Sequence, residues 1–167
     1  MSTRLDHRDR LGLFHRALRA VLEVVVCEAI YWQASDRLVD PQTWIAVFDG
    51  SAAIDVFTSG AVNVRMFKVE GPGKSGEGDT IMDTLGLGAL GLPDLQCRFQ
   101  QLEPEAVARV LYNTAWYTFT NGDVIDDGHT VPGVHHGSQW RCHHEDALVE
   151  PARVVLNLQP VILNAAE

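Results

Sequence analysis

The chain has 167 residues, of which 46% are hydrophobic and 21% are charged, values close to those of ordinary soluble globular proteins. This length predicts one domain with a single core. The longest apolar segment, AVLEVVVCEAIYW, is interrupted by Glu23 and Glu28, so we expect no membrane-spanning helix. The net charge of −9 disfavours nucleic acids and anionic membranes as partners, because both bind surfaces rich in lysine and arginine.

The compartment is predicted from the N-terminus and the cysteines. The opening segment MSTRLDHRDRLG lacks the uninterrupted hydrophobic stretch of a secretory signal. Cys27, Cys97 and Cys142 are widely spaced and show no paired framework, so we expect them to be reduced and partly buried. Both features favour a cytoplasmic protein.

Periodicity predicts the elements of the first half of the chain. Residues 7–24 have the three- and four-residue apolar spacing of a helix, with Leu11, Phe14, Leu18, Val21, Leu22 and Val25 on the expected core face. VVVCEAIYW favours a strand over residues 25–32, and a short helix is expected near 41–48. The alternation in VNVRMFKVE predicts a strand exposed on one face.

The second half begins with a glycine-rich loop at residues 71–79. It contains Gly73-Lys74-Ser75, but Lys68 stands where the first glycine of a phosphate-binding loop is required, so we do not expect nucleotide binding. A strand, a turn and a second strand at 94–99 follow. The clearest helix begins near Pro104 and ends at Asn121-Gly122, with Val107, Val110, Leu111, Thr114 and Tyr117 on one face.

The remaining residues predict a loop at 123–133, a strand in SQWRCHHE and a last strand in RVVLNLQPVIL. Helices and strands are therefore mixed without regular alternation. This order predicts an α+β domain, a mainly antiparallel sheet with helices packed on one face.

The segment GVHHGSQWRCHHED raises the possibility of a metal site. Zinc binds cysteine, histidine and carboxylate side chains at about 2 to 2.5 Å, but the usual ligand pairs such as CxxC are absent from this sequence. In a strand, Trp140, Cys142 and His144 share one face, whereas Arg141, His143 and Glu145 share the other. The candidate zinc ligands are His129, His135, Cys142 and His144.

Enzymatic chemistry is the less favoured interpretation. A histidine beside carboxylates, at His129 or His144, could act as a general acid or base. No GxSxG nucleophile motif occurs in the sequence, and the cysteines lie in apolar or strand-like contexts. A metal-assisted hydrolase or metal-binding protein using the histidine and cysteine cluster remains the alternative hypothesis.

Four segments taken in order resemble a known family: AIYWQASDRLVDPQTW, DTLGLGALGLPDLQ, VLYNTAWYTFTNGDVIDDGHTV and WRCHHEDALVEPARVVLNL. Together they resemble the bacterial domain of unknown function forty-two sixty-one, over about residues 15–158. The resemblance implies a bacterial, cytoplasmic protein but no reaction. It also implies that strands present upstream in the family are missing here, so we expect an open sheet edge that pairs with a second copy in a homodimer.

The charge distribution suggests a function in protein binding. Residues 101–167 contain three arginines and nine acids, so −6 of the net charge lies there. A basic protein partner would be attracted to this half of the chain. We therefore expect a non-enzymatic interaction domain without a cofactor, such as an immunity or secretion-accessory protein, that binds a basic partner through five acids: Asp123, Asp126, Asp127, Glu145 and Asp146.

Overall fold

The computed structural model describes residues 5–69 and 79–160. Its helices are α1 (His7–Val24), α2 (Pro41–Gly50), α3 (Ala53–Thr58), α4 (Leu87–Leu90) and α5 (Pro104–Asn121). Its strands are β1 (Ile30–Trp32), β2 (Arg37–Val39), β3 (Asn63–Val69), β4 (Asp79–Leu85), β5 (Asp94–Phe99), β6 (Thr130–Pro132), β7 (Gln139–Asp146) and β8 (Val154–Gln159). None of the helices in these two ranges is both long and apolar enough to cross a membrane.

The main sheet has six strands in the order β3-β4-β5-β8-β7-β6. All neighbouring strands in it are antiparallel except β5 and β8, which are parallel. β1 and β2 form a separate antiparallel pair. The fold is therefore α+β with a mostly antiparallel sheet, which confirms the predicted class.

One face of the main sheet forms the core beneath α5. Leu95, Cys97, Leu156, Leu158 and Cys142 come from three strands, and each is fully buried on this face. They pack with the buried side of α5. Burial raises the pKa of the Cys97 thiol to about 12, so this cysteine serves as an apolar core residue.

The helix predicted at residues 7–24 is confirmed, but its predicted core face is partly wrong. Leu11 is buried and Leu18 and Leu22 are partly buried, whereas Phe14, Val21 and Val25 are about half exposed. His15 is buried instead, among the rings of Phe14, Trp32, Trp44 and Phe48. The sequence of α1 has more apolar positions than one helix face can hold, so spacing alone does not identify the buried face.

Other predictions need correction at particular elements. The strand expected at 25–32 is present only from Ile30, and Cys27 is exposed. Tyr117 lies on the exposed side of α5, 51% accessible. The strands β2 and β6 and the helix α3 were not predicted. Residues 71–78 of the predicted glycine-rich loop and residues 161–163 of the predicted last strand lie outside the described residues.

Candidate functional site

A groove of about 630 Å³ lies between α5 and the short edge strand β6. Its apolar lining comes from Val110 and Tyr117 of α5, Val124 of the connecting loop, and Val131 and Pro132. Tyr117 is 51% exposed and Val124 is 45% exposed. Two large side chains are therefore accessible to a partner at the groove.

Tyr117 is accessible because of its position on α5. The helix buries Val107, Leu111 and Thr114 against the sheet, and Tyr117 projects beyond that buried stripe. Asn113, one turn before Tyr117, is also exposed and lines the groove. The periodicity of the sequence did not distinguish Tyr117 from the core positions, because all of them recur at helical spacing.

An acidic loop follows α5 directly and borders this groove. Gly122, with a φ of 88°, ends the helix, and the chain then turns through Asp123, Asp126 and Asp127. All three aspartates are exposed. Among the described residues, the carboxylates of Asp123 and Asp126 have no hydrogen-bond or ion-pair partner, so they are free to bind a cation from another molecule.

Asp127 has a structural contact that the other two acids lack. Its Oδ1 accepts hydrogen bonds from the backbone N–H of His144 at 2.7 Å and pairs with the His144 Nδ1 at 2.8 Å. These bonds hold the pKa of the Asp127 carboxyl below its ordinary value. Asp127 therefore anchors the acidic loop to β7.

The loop also covers part of the sheet edge. The backbone N–H of Gly128 donates to the carbonyl of Cys142, and the N–H of Cys142 donates to the carbonyl of His129, both at 2.8 Å. The loop thus continues the edge of the sheet beyond β6, where β7 would otherwise expose backbone groups. This backbone pairing holds the groove and its acidic border in one position relative to each other.

The five predicted binding acids do not form one surface. Asp146, the last residue of β7, is exposed, as are the three loop aspartates. Glu145 is directed to the opposite face of the sheet, where its carboxylate contacts His143 Nε2 at 2.9 Å and Gln96 Nε2 at 3.0 Å. Strand alternation separates Glu145 from its neighbour Asp146.

The four predicted metal ligands lie in different environments. Cys142 is buried in the core, where burial raises the pKa of its thiol to about 11, and His144 is bound to Asp127. His129 lines the groove, with its Nδ1 accepting from the backbone N–H of Asp126 at 3.1 Å. His135 lies in the exposed turn between β6 and β7. Within residues 5–69 and 79–160, no three histidine, cysteine or acidic side chains come together as a metal site.

A buried ionic network, which the sequence did not reveal, lies on the sheet face opposite α5. The fully buried Asp83 accepts from Arg65 Nη2 at 2.5 Å and from Arg153 Nη2 at 2.7 Å. Arg153 Nε also donates to Asp94 at 3.1 Å. Burial raises the pKa of the Asp94 carboxyl, while the charge of Arg153 opposes that shift. The network joins β3, β4 and β5 to the segment preceding β8, and its two arginines and two aspartates are all paired.

A second cleft, of about 760 Å³, lies where β5 and β8 cease to pair after Gln96 and Asn157. Its charged lining includes Asp79 and Arg98, which already bind each other. The cleft extends to Pro160, the last described residue. The first groove is lined by described residues, and the acidic loop that contributes Val124 and Ile125 to its lining carries two unpaired carboxylates, so this groove is the candidate site.

The fold and site define an α+β domain with an apolar groove and an acidic loop at one sheet edge and a buried ionic network on the sheet face opposite α5. Residues 83–159 match the model of the family described as domain of unknown function (DUF4261). The predicted resemblance is confirmed over this range, while its first segment, AIYWQASDRLVDPQTW, lies outside it. Comparisons with curated proteins and with solved structures gave no match.

Proposed function

We propose that this chain is a protein-interaction domain that binds a basic partner segment in the groove between α5 and β6. The observation that carries the proposal is an apolar groove whose lining includes Val124 and Ile125, from the same loop as the exposed and unpaired Asp123 and Asp126. A partner with one apolar side chain flanked by lysines or arginines matches both features. The apolar side chain would bury Tyr117 and Val124, and the flanking cations would face the loop aspartates.

The charge of the chain supports the same class of partner. The net charge of −9 favours encounter with a basic protein, and the two loop aspartates concentrate that charge beside an exposed aromatic residue. Aromatic side chains in the centre of an interface commonly carry much of its binding energy. The acids thus determine encounter and orientation, and Tyr117 supplies affinity.

A defined peptide tests the proposal. The probe is a labelled peptide with a Leu-Phe pair flanked on each side by two lysines, and its binding is followed by fluorescence anisotropy. We expect it to bind more weakly as salt increases, and we expect a matched peptide with glutamates in place of the lysines not to bind. Asp123→Lys/Asp126→Lys should weaken binding at least about tenfold.

A second double variant distinguishes the effect of the loop charges on binding from the effect of the net charge of the chain. Glu28→Lys/Glu103→Lys makes the same change in net charge at two exposed positions away from the groove lining, and it should leave the affinity within about twofold. Equal weakening by both double variants would show that only total charge matters. Binding that is unaffected by Tyr117→Ser would exclude the groove as the contact surface.

We also propose a biological role for such an interaction domain. A cytoplasmic bacterial immunity or secretion-accessory protein would use such a surface against a basic toxin or transported protein. The test is the gene neighbourhood, followed by purification of the neighbouring protein and the same pair of double variants. A neighbouring protein that binds both variants as tightly as the unchanged chain would contradict this role.

A further inference from the structure

Helix α1 has a second apolar face that no described residue covers. Leu13 and Val24 are 54% and 82% exposed, and Ala17 and Ala20 between them are also exposed. These four residues follow the alternating four- and three-residue spacing of a helix-pairing seam. The stripe is distinct from the face of α1 that carries Leu11 and His15 into the core.

We propose that a second copy of this chain covers the stripe, through antiparallel pairing of α1 with the partner's α1. Along the stripe the side chains are large, small, small and large. This order of sizes is symmetric about the point midway between Ala17 and Ala20. A two-fold axis there places Leu13 against the partner's Val24 and Ala17 against the partner's Ala20. Such a contact is self-complementary, as a closed dimer requires, and the two alanines allow the helices to approach closely.

The residues on either side of the stripe are also complementary in this antiparallel arrangement. On one side, Phe14 lies beside the partner's Val21, and both residues are about half exposed in the single chain. On the other side, Arg16 lies beside the partner's Glu23. Arg16 has no ion-pair partner among the described residues. Glu23 Oε1 already pairs with Arg19 Nη1 of its own chain at 3.0 Å, but the Glu23 side chain is 60% exposed and no described group contacts its Oε2. Each pair occurs twice across the two-fold axis.

Charge favours the antiparallel orientation over the parallel one. In a parallel pair, the flanking positions five residues apart would meet, which brings Arg16 to the partner's Val21. The position five residues after Glu23 lies beyond Val24, where α1 ends, so a parallel pair gives neither Arg16 nor Glu23 an opposite charge on the partner. The antiparallel pair forms two Arg16–Glu23 contacts instead, so charge complementarity selects both the occupant and its direction.

This dimer surface differs from the sheet edge expected from the sequence. At that edge the backbone of Gly128 and His129 pairs with Cys142 of β7, and β6 and β3 remain the two edge strands of the main sheet. The α1 stripe lies on a separate element from the groove between α5 and β6. The dimer and the binding of a basic partner can therefore be tested independently.

Sedimentation equilibrium of the full chain tests the dimer. We expect a mass approaching twice 18.4 kDa at micromolar concentrations. Ala20→Glu places a charge at the centre of the seam and should raise the dimer Kd at least about tenfold. Ala46→Glu, at an exposed position of α2, is the matched control and should leave the Kd unchanged. A monomeric wild-type chain, or a dimer that Ala20→Glu does not weaken, would overturn the proposal.

A charge exchange tests the direction of pairing. Arg16→Glu and Glu23→Arg should each weaken the dimer severalfold, because each variant opposes like charges twice across the axis. The double variant Arg16→Glu/Glu23→Arg should restore the wild-type Kd. Additive weakening in the double variant would exclude the antiparallel register, and circular dichroism of each variant confirms that the chain is folded.

Discussion

Asp83→Asn is the most informative test of the buried ionic network. The change removes one negative charge from between Arg65 and Arg153 while keeping the size of the side chain. The carboxylate of Asp83 has no solvent access, and its Oδ2 lies 2.5 Å from Arg65 Nη2 and 2.7 Å from Arg153 Nη2. An asparagine amide oxygen can still accept a hydrogen bond, but it leaves Arg65 without a counter-charge and Arg153 with Asp94 alone, at 3.1 Å.

The expected cost follows from the burial of the three side chains. Removing one partner of a buried ion pair typically costs about 3 to 5 kcal/mol, because the remaining charge is left without compensation. The side chains of Arg65 and Arg153 are 19% and 16% exposed, so water relieves part of that cost. We therefore expect a loss of about 3 kcal/mol in the free energy of unfolding. For a chain of this size the melting temperature should fall by about 6 to 12 °C.

Urea unfolding followed by circular dichroism measures this loss, with Asp79→Asn as the control. Asp79 lies in the same strand and pairs with Arg98, whose side chain is 55% exposed, so its replacement should cost much less stability than that of Asp83. Arg65→Met should cost less in the Asp83→Asn background than in the wild type. A loss below about 1 kcal/mol for Asp83→Asn would refute the argument that the network is a stabilising centre.

Three further predictions concern protonation, thiols and metal. The pKa of His15 is lowered by burial from 6.5 to about 4, so the unfolded chain takes up a proton that the folded chain excludes; stability should be constant above about pH 6.5 and fall by about 3 kcal/mol down to pH 4. Urea titrations should show that His15→Leu removes this slope, and a slope retained in that variant but lost in the exposed-site control His136→Asn would contradict the assignment. A thiol-reactive dye should label Cys27 rapidly in the folded chain and the two buried cysteines only after unfolding, and rapid labelling of all three would be the contrary result. Zinc or a chelator should leave the melting temperature unchanged, because Cys142 is buried and protonated; a rise with zinc that Cys142→Ala abolishes would restore the metal hypothesis.

The parts of the fold that sequence predicts well are those with strong local signals. α5 begins at Pro104 and ends before Gly122, as residues with fixed backbone preferences indicated. β7 was predicted from a short run, and its alternation places Cys142 in the core and His143 on the other face. Local preference and tertiary packing agree in both elements, so periodicity is sufficient there.

Local signals fail where tertiary contacts decide. β6 has three residues and is a strand only because Thr130 to Pro132 pair with β7. The VVVC segment has strong β preference, but residues 25–29 have no strand partner and do not form a strand. The candidate groove was missed for the same reason, because it requires α5 and β6 to lie side by side, a long-range arrangement that residue spacing does not specify.

The structure divides the acids of the C-terminal half into two groups with different uses. Glu145 is already bound by His143 and Gln96, and Asp127 by His144. Replacing either acid therefore removes contacts within the chain as well as surface charge. The carboxylates of Asp123 and Asp126 have no described partner, so replacing them changes the surface alone. A charge count of −6 therefore overstates the charge that a partner can use. Replacing Asp123 and Asp126 therefore separates a loss of binding from a loss of stability, and the proposed interaction depends on experiments at those two positions.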